Sequence, residues 1–137
     1  MSQGLAYLLD TNIISHLMKY PRCDVAKHIA RVGEQTICTS IIVVAELSFG
    51  VQKKDSVKLS NRLEEILSRI PVLGFEKPAE LHYAVARNQL EKRGKLIGGN
   101  DLLIAAHALS LGLCVVTDNV REFERVPDLL VENWTVR

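Results

Sequence analysis

Four acidic residues interrupt apolar surroundings in this chain: Asp10 closes LAYLLD, Glu46 lies inside IIVVAELSFG, Asp101 opens DLLIAAHAL, and Asp118 follows CVVT. Gathering such groups is unfavourable, because two unit charges about 4 Å apart repel by roughly 4 kcal/mol at an effective dielectric of 20. Protonation or a bound cation relieves that repulsion. All-oxygen donor sets favour hard cations such as Mg²⁺ or Mn²⁺. One or two such ions on carboxylates suit phosphodiester hydrolysis, lowering the pKa of an attacking water and steadying the leaving oxygen. Each acid alone also has a structural account. Asp10 would cap the next helix, Asp101 would favour a helix N-terminus, Glu46 would snorkel from a half-buried helix, and Asp118 is an ordinary strand-to-turn residue. Only the combination argues for a site.

The elements that must position these acids follow from hydrophobic patterning. Leu5–Leu9 reads as a buried strand, and helices are expected over about Asn12–Lys19 and Asp24–Val32, stopped by Pro21 and Gly33. Gln35–Thr39 reads as a second strand. Ser40 is the expected N-cap of a helix from Ile41 to about Lys53. Apolar residues at Leu59, Leu63, Ile66, Leu67 and Ile70 mark one face of a helix over Ser56–Ile70. Val72–Phe75 is a short strand and Pro78 to about Arg93 a helix. Asn100–Leu111 is apolar almost all round, the pattern of an interior helix. Leu113–Thr117 is a fourth strand, and Leu129–Val131 a fifth.

Strands alternating with helices imply a parallel sheet covered on both faces, with ligands beyond the carboxyl ends of its strands. Asp10 and Asp118 both end strands and therefore fall on that edge, within reach of Glu46 and Asp101 from helices.

The 137 residues fit one domain, 1–137, without linker, repeat or low-complexity tract. Seventeen Lys and Arg stand against sixteen Asp and Glu, so any polyanion must be held by local arrangement rather than overall charge. Cys23, Cys38 and Cys114 form no C-x-x-C pair, and the latter two sit in apolar runs as core side chains. The opening MSQGLAYLLD lacks a basic leader region and no apolar run reaches a membrane span, so a cytoplasmic protein without membrane contact is expected.

Four stretches together resemble the PIN-domain nuclease pattern, and within it the VapC toxins. YLLDTNIIS carries Asp10-Thr11-Asn12 like the opening D-T-N of that family. SIIVVAELSFG is similar to its second motif, with Glu46 and Gly50. IGGNDLLIAAHAL resembles G-x-x-D-x-x-I-A-A, with Gly98 and Asp101, and VVTDNVREFERVPDLLVENW resembles the C-terminal stretch. Order and spacing agree over nearly the whole chain. One position departs: many PIN domains carry T-x-D, where this chain has Asn119, with Asp118 one residue earlier. Similar VapC sequences carry Asn-Asn there.

The resemblance implies an α/β fold of three layers, α/β/α, around a mostly parallel sheet of four to five short strands. It implies a Mg²⁺- or Mn²⁺-dependent endoribonuclease toxin with one or two ions, acting on structured RNA, transfer RNA in particular. A homodimer and a VapB-type antitoxin partner are implied with it. On this resemblance Asp10, Glu46, Asp101 and Asp118 would be both the catalytic and the metal-binding residues. Thr11, Asn12 and Thr117 would orient them, and the Asn119 amide would contact metal-bound water.

RNA must also be held. Arg87, Lys92, Arg93 and Lys95 precede the third motif and Arg121 and Arg125 follow the fourth acid; a solvated helix face accounts for them equally well. Of these, Arg87, Arg93, Lys95 and Arg121 are the expected RNA contacts. His107, six positions beyond Asp101, reads as a satisfied core histidine, His16 and His82 have no metal-ligand spacing, and Trp134 would pack the C-terminal segment. Two other functions fit a small α/β chain. A Mg²⁺-binding phosphoacceptor receiver domain would need an acceptor Asp in PVLGFEKP and a Lys after Leu113–Thr117, and has neither. A non-catalytic PIN-like binding module would not need the intact Asp10, Glu46 and Asp101.

Overall fold

In the computed structural model, residues 4–135 are described. The first three residues of MSQGLAYLLD and the last two of the chain lie outside them.

Five short strands form one parallel sheet in the order β3-β2-β1-β4-β5: β1 Tyr7–Leu9, β2 Ile37–Ser40, β3 Val72–Leu73, β4 Cys114–Val116 and β5 Val131–Glu132. Register is fixed by Leu8 opposite Cys38 on one side and Val115 on the other. Leu8, Cys38 and Val115 are all fully buried, as expected of a sheet covered on both faces. Helices α1 Thr11–Lys19, α2 Asp24–Val32, α3 Ile41–Lys54, α4 Val57–Leu67, α5 Ala79–Lys92, α6 Gly99–Leu111 and α7 Val120–Phe123 supply that cover. This is the expected α/β/α architecture, with all four strand pairings parallel rather than mostly so.

Several boundaries differ from the sequence expectation: β1 begins at Tyr7 rather than Leu5, β3 ends at Leu73 rather than Phe75, and β4 is one residue shorter at each end than Leu113–Thr117. Gln35 and Thr36 belong to a 3₁₀ turn over Glu34–Thr36 instead of the strand, because Gly33 turns the chain at φ 95° and the Thr36 hydroxyl bonds back to its carbonyl. Helix α4 ends at Leu67, and its apolar face is continued by Ile70 from the following turn. The fifth strand falls at Val131–Glu132, and α7 was not foreseen at all.

Trp134 is buried, stacked on His28 with ring centroids 4.4 Å apart and edge-on to Tyr7 at 4.9 Å, and so pins the C-terminal segment as expected. All three cysteines are free, with Cys38 and Cys114 buried. Among the described residues no helix is long and apolar enough to cross a membrane.

Candidate active site

The site is built where β1 and β4 end side by side. The Asp10 backbone N–H donates to the Val116 carbonyl at 3.0 Å, carrying the ladder one residue beyond β1. Its carboxylate then turns to cap α1, accepting from the Ile13 N–H at 3.0 Å. The capping role and the site role thus coexist in one side chain. Thr117, fully buried at the end of β4, donates its hydroxyl to Asp10 and accepts the Asn119 N–H at 2.9 Å. Asp10 is only 4 % exposed. Burial, reinforced by the charges of Asp118 and Glu46, raises its pKa from 3.8 to about 6 in spite of the bonds from Thr117 and Ile13.

Helix α3 delivers Glu46. Ser40 caps α3 by accepting the Ile42 N–H at 3.0 Å, and Glu46 lies six residues further on. Both its carboxylate oxygens are engaged: the Thr11 hydroxyl donates to Oε1 and the Asn100 side-chain amide to Oε2, the latter at 3.0 Å. Asn100 is a site residue that the sequence did not single out.

Asp101 stands in the first turn of α6. Its pKa is raised to about 8, first by burial, then by hydrogen bonding and repulsion from Glu122, then by Asp10 and Glu46. Glu122, on the short α7, is the second residue missed in the sequence. Its oxygen accepts the Gly98 N–H at 3.3 Å and it also bonds to Asn119, and its pKa is lowered chiefly by the bond to Asp101. The proton of this pair therefore rides on Asp101. Gly98 lies against both carboxylates, a Cβ there falling 3.6 Å from an oxygen of each, in ordinary van der Waals contact.

Asp118 is exposed at the rim. It adds to the repulsion on Asp10 and accepts a 3.3 Å bond from the Asn12 amide. Of the four acids expected, all contribute to one charged neighbourhood, with Glu122 as a fifth. The Asn119 side chain reaches Glu122.

The basic residues are placed less uniformly. Arg87 is bound along α5 to Glu91 at 2.9 Å and to the Tyr83 hydroxyl at 2.8 Å. Lys92, Arg93 and Lys95 are exposed on the turn that runs from α5 into Gly98, and Arg121 is exposed beside Glu122. Arg125 donates to the Leu96 carbonyl at 3.3 Å, holding that turn against α7.

Among the described residues no three His, Cys, Asp or Glu side chains are set as a ready-made metal shell, and the site offers neither the thiolate nor the imidazole donors of a structural zinc centre. The all-oxygen donors suit Mg²⁺ or Mn²⁺ instead, since Mg²⁺ keeps several waters and takes one or two carboxylates plus substrate phosphate. Burial first, and the neighbouring acids after it, raise the Asp10 and Asp101 carboxyls, and a bound cation would favour their charged forms.

The description "PIN domain" matches residues 7–129, a span reaching from β1 past α7. The chain belongs to the PIN domain family. Relatives of this PIN domain include "Ribonuclease VapC2" of Rickettsia felis, 39 % identical over 95 % of this chain and 98 % of that protein. The "tRNA(fMet)-specific endonuclease VapC" of Shigella flexneri is 35 % identical over 96 % and 99 %. Among solved structures, the VapBC2 complex of Rickettsia felis bound to a promoter DNA fragment superposes with a TM-score of 0.89 at 36 % identity, covering 95 % of this chain and 99 % of that one. VapBC-1 of nontypeable Haemophilus influenzae superposes at 0.84 and 38 %, covering 96 % and 100 %. Membership of this family, in its VapC group, sets aside the receiver-domain alternative.

Proposed function

We propose that this PIN domain is a cytoplasmic, metal-dependent endoribonuclease toxin that hydrolyses RNA phosphodiester bonds and is neutralised by a VapB-type antitoxin. The observation that carries this reading is the convergence of Asp10, Glu46, Asp101 and Glu122 at the carboxyl end of the sheet, with two of the carboxyls held above their ordinary range. Mg²⁺ or Mn²⁺, one or two ions, would be held by Asp10 and Asp101, with Glu122 and Asp118 completing the oxygen set. When bound, such an ion supplies charge neutralisation and an acidified water.

The side chains do the rest. Glu46, fixed by Thr11 and Asn100 on its two oxygens, would complete the second ion's oxygen set or position the attacking water. Thr117 holds Asp10 against β4, and Asn12 and Asn119 steady Asp118 and Glu122. Arg93, Lys95 and Arg121 grip RNA phosphates along the rim, whereas Arg87 is spent within α5. The name of the Shigella relative supports transfer RNA as the substrate class.

An apolar groove of about 590 Å³ runs between α1, α2 and α4, lined by Leu17, Ile29 and Ile66 and edged by Glu34, Arg62 and Arg69. It offers the antitoxin a seat. Phe49, Leu81 and Val85 are exposed on α3 and α5, apolar area that a homodimer would cover.

The test is to incubate total RNA with the chain and Mg²⁺ and sequence the new ends, beside Asp10→Asn. Discrete cuts present only with the wild type support the proposal. Ends identical in both samples would refute it.

A further inference from the structure

Helices α3 and α6 are joined by two polar links. Toward the sheet edge, Asn100 of α6 donates to Glu46 of α3. Farther along α6, His107 Nδ1 lies 2.8 Å from the hydroxyl of Ser40, the α3 cap. The links run crosswise, the start of each helix meeting a later point of the other, so the helices are antiparallel. Seven residues separate the links on α6 and six on α3, about 10 and 9 Å at the α-helical rise. The spacings match, as in a ladder with two rungs.

The second rung is buried and fully bonded. His107 is 1 % exposed and Ser40 fully buried. The imidazole also bonds to the Gly74 backbone just beyond β3. With its N–H committed to the Gly74 carbonyl, Nδ1 is an acceptor, so the Ser40 hydroxyl donates to it while accepting the Ile42 N–H at 3.0 Å. Burial holds the imidazole below its ordinary pKa, the Phe75 ring stands edge-on at 5.5 Å, and Glu76 is its charged neighbour. The other buried residues of the two helices, Val43 and Leu47 of α3 and Leu102, Ile104 and Ala108 of α6 among them, are apolar. Apolar packing is non-directional and does not alone choose between sliding positions. A directional bond in that interior does.

We infer that His107 is a positioning residue, setting the register of α6 against α3 and thereby the placing of Asn100 and Asp101 opposite Glu46. The inference rests on reading those acids as the RNA-cutting site. A slip of one residue moves α6 by about 1.5 Å and would break the Asn100–Glu46 rung.

The test compares wild type, His107→Leu, which removes both bonds, and His107→Asn, which keeps an acceptor for Ser40. The first readout is the side-chain amide resonance of Asn100 in metal-free protein, which depends neither on activity nor on a bound ion. The others are Mn²⁺ affinity by calorimetry and the kcat and KM of RNA cleavage. In the Leu variant the hydrogen-bonded Asn100 signal is expected to collapse, with Mn²⁺ affinity and kcat each falling about tenfold at little-changed KM. The Asn variant is expected to recover most of all three. A folded Leu variant with unchanged Asn100 resonance and Mn²⁺ affinity overturns the inference, whatever its melting temperature. Should the Leu variant not fold, His107→Gln, which keeps only the Gly74 bond, replaces it, and identical Asn100 signals in the Gln and Asn variants overturn it equally. Loss of the Asn100 signal beside a wild type that cuts no RNA would sink the nuclease reading and leave the register role standing.

Discussion

Asp101, in the first turn of α6, donates a carboxyl proton to Glu122 of α7, a bond between two acids that only a shared proton permits. Glu122 thus stands beside Asp101 as a fifth acid, four residues beyond the exposed Asp118. Glu122→Gln should lower RNA cleavage by about a hundredfold, the scale of losing one preorganised electrostatic partner. Asp118→Asn should cost severalfold less. Single-turnover rates at saturating Mg²⁺ decide the ranking, and equal losses would restore Asp118 to the central role.

Asp10→Asn keeps a side-chain oxygen for the Ile13 N–H and removes a strained charge. The variant should lose cleavage at least a hundredfold while melting no lower than wild type at pH 8 without metal. A melting temperature well below wild type would show that the carboxylate is needed for folding rather than for chemistry.

Stability should depend on pH in an unusual direction. Asp10 and Asp101 hold their protons more tightly folded than unfolded, so their contribution is fully present below about pH 4. It is lost as pH rises through about 6 for Asp10 and about 8 for Asp101. For buried Asp10, the rise from 3.8 to about 6 corresponds to about 3 kcal/mol. Denaturant midpoints of metal-free protein should therefore fall between pH 5 and 9, and added Mg²⁺ should flatten the decline. A rising midpoint would show that the two acids are already neutralised by other groups.

Lys95→Ala and Arg93→Ala should weaken RNA binding and each reduce the slope of log affinity against log salt by about one. Arg87→Ala should change neither, because its guanidinium is held by Glu91 and Tyr83. Filter binding with the Asp10→Asn protein at several salt concentrations separates these outcomes.

Asp10, Glu46 and Asp101 were legible because each breaks an apolar run, and a charge among core residues needs a reason. The parallel sheet was legible for the same cause, in runs such as Leu113–Thr117. Glu122 was hidden among the alternating charges of VREFER, on a four-residue helix too short to show a period. Asn100 carried no charge to mark it, and only the fold brings it to Glu46. Asp118 stood out by ending a strand, yet it is exposed, in a turn closed by the Asn119 N–H on the Thr117 hydroxyl.

The strand order places β1 in the centre of the sheet, hydrogen-bonded on both flanks, whereas α7 is a single turn near the β5 edge. Amides of β1 should exchange with deuterium only when the whole molecule opens, and those of α7 during small local excursions. Two parts of one site then live on different clocks. Asp10 should then stay in place as long as the folded state itself, whereas Glu122 should be released whenever that single turn opens.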